Sequence, residues 1–380
     1  MNKKAVGLFI TILTGMLLLG FIAPSFADIP PDVNSRWASI PPTINGILAP
    51  GEWANAALVP FTMQMRGRLP PYSVIKTLDG TFLVMNNGSY LFVAVQIYNV
   101  VFLNHDFGTA NYTAFAVLFS NNDNNVLVTG DQGVGVHTWI GDPTYTNNDL
   151  FYNASITYWD YDTDLLNGAH GTNNGLFAWT HTNPTHGQIG NYTFEMAIPL
   201  ASPDIGYDFN ITNLPWTVGF KIWFAEPGNS IDGVFPDNMV QQRSNDQIYN
   251  ASSYGDLIIH PPYYLTVITT PGGNTNPVPG IYGPYSYGDV VPVQATANPG
   301  YTFDHWELDT VNVGSTNPYS VTMDQNHTIK AFFTQIPPSP TVGGVSFYAL
   351  APGTSATTIA YGALFGLATV AVVVSRRRKK

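Results

Sequence analysis

Two runs of strand length constrain this chain more than any other feature: Tyr90–Val100 (YLFVAVQIYNV) and Tyr112–Phe119 (YTAFAVLF). Both are apolar, β-branched and aromatic, and neither carries a helix cap or a helical period, so buried sheet strands are the expectation. Asn/Asp/Gly-rich loops surround them at Asn121–Asn125, Asp142–Asp149 and Asp160–Gly175. Further strands are predicted at Thr193–Ile198, Trp216–Ala225 and Asp256–Ile259. Strands at this spacing, separated by turn signals, predict an all-β chain whose main unit, residues 28–260, is a β-sandwich. With 35 Gly, 29 Pro, 13% aromatic and only 10% charged residues, the composition suits sheets and turns and not helix bundles. No cysteine is present, which excludes disulfides, thiolate metal sites, iron–sulfur clusters and cysteine nucleophiles.

The two ends predict export and anchoring. Lys3 and Lys4, the apolar run Ala5–Ile22 and the small-x-small site Ser25-Phe26-Ala27 have the order of a signal peptide over residues 1–27. Near the other end, after a Pro/Gly linker (335–355), residues 356–374 carry no charge. As a helix that segment would be roughly 28 Å long, about a bilayer core. The basic tail 375–380 follows and would lie in the cytoplasm, leaving the large N-terminal part outside the cell membrane. A span followed by an Arg cluster also resembles sorting tails that are cut and replaced by a lipid. The termini hold half of the 14 Lys and Arg, so the middle keeps seven basic residues against 25 acidic ones, a balance near −18. Such a surface repels nucleic acid and anionic lipid. Asn-x-Ser/Thr sequons stand at Asn87, Asn111, Asn153, Asn191, Asn210, Asn250 and Asn326, compatible with a glycosylated exterior.

The stretch Pro41–Ala57 (PPTINGILAPGEWANAA) suggests a short leading strand over Pro42–Leu48, then a Pro50–Gly51 turn that aims Trp53 back at the partners of Ile44 and Leu48. It resembles the N-terminal signature of carbohydrate-binding module family 9 and its DOMON-like relatives, Pro-x-Ile-Asp-Gly-x-Leu followed by Glu-Trp and an alanine. Ile44, Gly46, Leu48, Glu52, Trp53 and Ala56 match, and Asn45 replaces the usual Asp. Tyr192–Leu200 (YTFEMAIPL) is similar to the family's Glu-x-x-Ile-Pro strand, and Trp216–Glu226 (WTVGFKIWFAE) to the Gly-Phe strand that follows. Thr138–Gly187 aligns with nothing in the family. The resemblance implies a sandwich that binds carbohydrate or a cell-envelope glycan without catalysis, through paired tryptophans.

Residues 263–334 resemble a second family, the divergent B-repeat of bacterial surface proteins (internalin-type). Its hallmark appears here as Ala297-Asn-Pro299-Gly-Tyr301-Thr-Phe303 with Trp306, followed by Met323 and Ala331-Phe332. The expectation is a small sheet around Tyr301, Phe303, Trp306 and Phe332, with Gly300 turning the chain into a strand.

Chemistry-bearing patterns are sparse. No nucleophile elbow, zincin motif, Walker A loop or dinucleotide fingerprint occurs, and the only Glu residues are Glu52, Glu195, Glu226 and Glu307, so no enzyme is expected. His181 and His186 sit five apart in a polar loop, spacing that favours two solvated histidines over a metal pair. Asp160, Asp162 and Asp164 start like an EF-hand, but Leu165 and Gly171 occupy the places of its Gly and Glu. Asp123 and Asp131 lie in an Asp/Asn-rich turn whose hard oxygens could bind Ca²⁺, though the pattern favours an Asx-turn cluster. Alternation along Trp216–Ala225 puts Trp216, Val218, Phe220, Ile222 and Phe224 on one face and Lys221 and Trp223 on the other. Lys221 and Trp223 are thus candidates for a ligand floor, with Trp139, Trp159 and Trp179 as candidate clamps for a sugar ring. Some DOMON-like relatives bind haem b through Met with Lys or His. Met63, Met85, Lys76 and Lys221 are available for that alternative, a DOMON-like electron-transfer module. A structural or adhesion protein with no small ligand is the other.

Overall fold

The computed structural model describes residues 32–67, 69–102, 113–121, 126–128, 131–140, 149–153, 158–161, 174–202, 208–226, 231–237 and 247–338; for 132–140, 149–153 and 158–161 it describes the backbone only. The segment 1–27 expected to be a signal peptide, the apolar segment 356–374 and the basic tail lie outside the described residues. Among the described residues no helix is long and apolar enough to cross a membrane.

The first unit is built from β1 (Val33–Asn34), β2 (Arg36–Trp37), β3 (Ala57–Gly67), β4 (Val74–Asn86), β5 (Tyr90–Val101), β6 (Thr113–Ser120), β7 (Gln132–Ile140), β8 (Asp149–Asn153), β9 (Tyr158–Tyr161), β10 (Leu176–His181), β11 (Ile189–Pro199), β12 (Trp216–Glu226), β13 (Ile231–Phe235) and β14 (Gly255–Ile259). Their hydrogen-bonded order is β10-β11-β5-β4-β3-β13-β12-β6-β7-β8-β9, with β14 on β12, β1 on β14 and β2 on β4. The β3–β13 link is only two residue pairs long, Gly67 with Ile231 and Arg66 with Asp232. It joins two sheets that fold face to face.

The proof is in the core, where rings from opposite sheets stack. Phe115 on β6 lies 3.8 Å from Phe194 on β11, and Phe82 on β4 lies 5.0 Å from Phe220 on β12. Alternate residues supply this layer: Phe61, Met63 and Met65 from β3, Val93, Val95 and Ile97 from β5, and Val218, Phe220, Ile222 and Phe224 from β12. The strands expected from the apolar runs are present. The leading strand expected over Pro42–Leu48 is not: that segment is irregular, because side chains rather than a sheet ladder satisfy its backbone.

The second unit holds β15 (Tyr263–Thr269), β16 (Gly273–Asn276), β17 (Gly280–Tyr285), β18 (Asp289–Ala297), β19 (Tyr301–Leu308), β20 (Val311–Gly314), β21 (Tyr319–Met323) and β22 (His327–Gln335). These form a five-stranded sheet, β17-β15-β22-β19-β20, and a three-stranded one, β16-β18-β21. Trp306 is fully buried at the centre, with Leu265, Val293, Met323 and Ile329. Gly300 has φ +84°, as its turn requires. Two of the expected anchors sit elsewhere. Phe333, not Phe332, packs on this core, because alternation on β22 turns Phe332 to the other face, where it stacks on His305 at 4.6 Å. Tyr301 instead lies over Gly272, where a Cβ would approach its ring to 2.3 Å. The two units meet through Arg36, paired with Asp289 at 2.5 Å, and through His260, stacked on Tyr287 at 4.1 Å.

Candidate functional site

The outer face of the β10-β11-β5-β4-β3 sheet divides into a roofed half and an open half. The roof is the segment 38–56. Ala38 and Trp53, with Ile44, Leu48 and Ala56, pack on Leu83, Met85, Phe92, Ala94 and Ala197. One buried carboxylate holds the roof down. Glu195 is fully buried, and its Oε2 accepts hydrogen bonds from the backbone N–H of Asn45 (2.9 Å) and Gly46 (2.7 Å). Its Oε1 accepts from the Trp53 indole Nε1 (2.8 Å). Gly46 has φ +80°, and a Cβ there would lie 2.6 Å from the backbone of Trp179. Asn45 accepts from the Ile47 N–H at 2.8 Å, a turn that needs only a side-chain oxygen.

The register then lines up Pro60 and four polar residues, Thr81, Gln96, Thr193 and Thr180, across five strands, from the open half at Pro60 to Thr180, whose hydroxyl donates to the Gly46 carbonyl of the roof. Thr62 and Asp79 pair in the next row, and the Thr62 hydroxyl lies 2.8 Å from Asp79 Oδ1. Tyr98 is half-buried beside them, its hydroxyl 2.7 Å from that of Thr81 and donating to Gln96 Oε1 at 3.3 Å. Pro60, Thr62, Asp79, Thr81 and Tyr98 line a shallow open cavity of about 350 Å³. A flat ring bordered by hydroxyls, an amide and a carboxylate offers a C–H face and hydrogen bonds together. This strip was not among the sequence candidates. Its signal was the alternation on β3, where Pro60, Thr62 and Gln64 are exposed between buried Phe61, Met63 and Met65.

The expected ligand floor on β12 is not a floor. Lys221 and Trp223 do share the second face, as alternation predicts, but that face is also covered. Trp223 is 5% exposed and packs with Ala114, Ala116, Val234, Ile248 and Tyr254. Lys221 is fully buried and donates through Nζ to the carbonyls of Pro236, at 2.7 Å, and Ser253. Burial lowers its pKa to about 7, against an opposing pull from Asp237. The turn from Gln247 to Ser253 makes the cover.

Trp179 is half-buried on β10 and packs inward, 6.4 Å from Phe102 and 6.0 Å from Tyr192. Trp139 lies on β7 and Trp159 on β9, in the other sheet; their side chains are outside the description.

For the metal candidates, Asp123 lies outside the described residues. Asp131 is buried, and its two oxygens accept from the N–H groups of Asn121 (2.9 Å) and Val128 (2.8 Å). Burial raises its pKa to about 6 against those bonds. The carboxylate thus ties Asp131 to backbone three and ten residues before it, not to the residue two positions after it as in an Asx-turn. Among the described residues no three metal-ligating side chains cluster. His181 spends its ring on the Asn183 backbone and the Val100 carbonyl, which keeps it from pairing with exposed His186.

The residues named for haem lie apart. Met63 and Met85 face opposite sides of the sheet, Lys76 pairs with Glu226 at 2.5 Å, and Lys221 is held by two carbonyls. Of the sequons, Asn210 and Asn326 are exposed, Asn87, Asn191 and Asn250 are half-buried, and Asn111 and the side chain of Asn153 lie outside the description.

Residues 263–337 match the divergent InlB B-repeat domain. Solved structures similar to the chain include a family 9 carbohydrate-binding module from Caldicellulosiruptor kristjanssonii in complex with cellotriose, at 16% identity and a TM-score of 0.38, covering 60% of this chain and 94% of that one. The glucose complex of a family 9 module from the same organism aligns at 15% identity and a TM-score of 0.37, with 60% and 95% covered. Among curated proteins, none matches the chain.

Proposed function

We propose that the sandwich binds carbohydrate without catalysing a reaction, and that it does so on the open strip around Tyr98. The observation that carries this reading is the juxtaposition on one uncovered sheet face of the Tyr98 ring with Thr62, Asp79, Thr81 and Gln96. Those groups suit a neutral polyol, and the site is shallow, so affinity is modest and comes from one stacked ring plus a few hydrogen bonds. The N-terminal signature gives this reading the support of family resemblance. The apolar segment 356–374 anchors the chain in the cell membrane, with the sandwich outside and the repeat unit as its spacer.

The test is glycan-array binding followed by titration of the best sugar. Tyr98→Ala, with folding checked by circular dichroism, is expected to weaken binding at least tenfold, about 1.4 kcal/mol. Trp139→Ala and Trp159→Ala are expected to leave it unchanged. Loss of binding in either tryptophan variant, with Tyr98→Ala unaffected, would move the site to the other sheet and refute this assignment.

A further inference from the structure

The hydrogen bonds on the open strip around Tyr98 all run one way, and their direction leaves a ligand nothing but acceptors. Among the described residues, the side-chain protons lining that cavity belong to three hydroxyls, those of Thr62, Thr81 and Tyr98. The Thr62 hydroxyl donates to Asp79 Oδ1 at 2.8 Å, because an ionised carboxylate can only accept. The Gln96 amide donates through Nε2 to the Thr193 hydroxyl at 3.2 Å, which leaves its Oε1 to accept from the Tyr98 hydroxyl at 3.3 Å. Tyr98 has only that one proton, so the 2.7 Å contact between the Tyr98 and Thr81 hydroxyls takes its proton from Thr81. All three protons are thereby committed within the strip.

We infer that the strip recognises free sugar hydroxyls by their protons, and that Asp79 is the residue that sets this specificity. The inference rests on the carbohydrate reading above and adds the class of sugar: a neutral one with unsubstituted hydroxyls, not a uronate, a sulfate ester or an O-alkylated sugar. Asp79 is exposed, and among the described residues its Oδ2 has no partner. The Thr62 and Thr81 oxygens keep lone pairs beside it. A sugar hydroxyl can turn its proton to any of these atoms. A carboxylate, sulfate ester or ether brings lone pairs to lone pairs, and both sides lose water with no bond in return. The Tyr98 ring is indifferent to that choice, since it meets only the C–H face of the sugar. Affinity and selectivity thus fall to different residues.

The test uses the full chain in detergent and the methyl glycosides of glucose, mannose and galactose, each beside its monodeoxyfluoro analogues and its uronate, read by ligand-observed saturation-transfer NMR. Fluorine replaces a hydroxyl at similar size but cannot donate. The titrations are run at about 1 M salt, where a Debye length of about 3 Å removes the general repulsion between an acidic chain and an anion. At least one glycoside is expected to bind, with its uronate and at least one of its fluorinated analogues weaker by about tenfold or more. Asp79→Asn, at an exposed position, turns an NH₂ toward the ligand in place of Oδ2. It is expected to weaken the parent glycoside several-fold and to bring the fluorinated analogue and the uronate within about threefold of it. Tyr98→Ala is expected to weaken all of them without changing their ratios. A fluorinated series and a uronate that bind as tightly as the parent, or ratios that Asp79→Asn leaves unchanged, would overturn the inference and leave the carbohydrate reading in place. Failure of every glycoside to bind would overturn both.

Discussion

Glu195 is the residue whose removal tests the architecture most directly. It is fully buried, it accepts three hydrogen bonds from the roof, and among the described residues no cation faces it. Truncation to alanine strips the acceptor from the Gly46 N–H and the Trp53 indole, both at buried contacts, and from the partly buried Asn45 N–H. Each buried donor left unpaired costs about 1–3 kcal/mol. Relief from burying the carboxylate itself offsets part of this, so the net loss for Glu195→Ala is about 3–4 kcal/mol. Glu195→Gln keeps one acceptor and the side-chain volume but turns an NH₂ toward a donor, for a loss of about 1–2 kcal/mol. Trp53→Phe removes one of the three donors. Its effect and that of Glu195→Gln are expected to be non-additive by about 1 kcal/mol, since the two residues share a bond. The assay is urea unfolding followed by tryptophan fluorescence, with unchanged m-values showing that only stability moved. A Glu195→Ala protein within about 0.5 kcal/mol of the parent, the range of ordinary surface substitutions, would refute the clamp. So would a glutamine variant less stable than the alanine one.

Three further outcomes are expected. Lys221 keeps its proton up to about 10.5 when unfolded but only to about 7 when folded, so the unfolded state binds more protons between those values and stability rises with pH across that window; melting curves of Lys221→Met should lose this rise. His327 behaves in the opposite sense: burial lowers its pKa, but bonds to Asp309 (2.6 Å) and Asp324 (2.8 Å) outweigh that and hold it above 6.5. Its contribution is full below 6.5 and is lost as pH rises through the folded value, and His327→Gln should flatten the melting temperature over that range. Trp223→Ala should cost about 3–5 kcal/mol as a cavity in the covering layer, while the sugar titration of the folded variant stays as in the parent; a selective loss of sugar binding would contradict its placement.

Period-two alternation was enough to assign faces and not enough to assign exposure. On β12 it separates Val218, Phe220, Ile222 and Phe224 from Lys221 and Trp223 correctly. What covers the second face is a turn with no period of its own, Gln247–Ser253, held by the Lys221 ammonium and by the Tyr254 hydroxyl donating to the Ile248 carbonyl at 2.8 Å. A strand whose two faces are both apolar or aromatic signals burial on both sides. Trp223 between Ile222 and Phe224 carried that signal, and the neighbouring Lys221 masked it, because a lysine is expected at a surface. The same logic explains why the roof was half legible. Glu195, Gly46 and Trp53 appear in the sequence as two separate motifs about 150 positions apart. Their spacing says nothing of contact, but the chemistry does: a buried carboxylate on an apolar strand needs donors, and a glycine-rich turn followed by an indole supplies them.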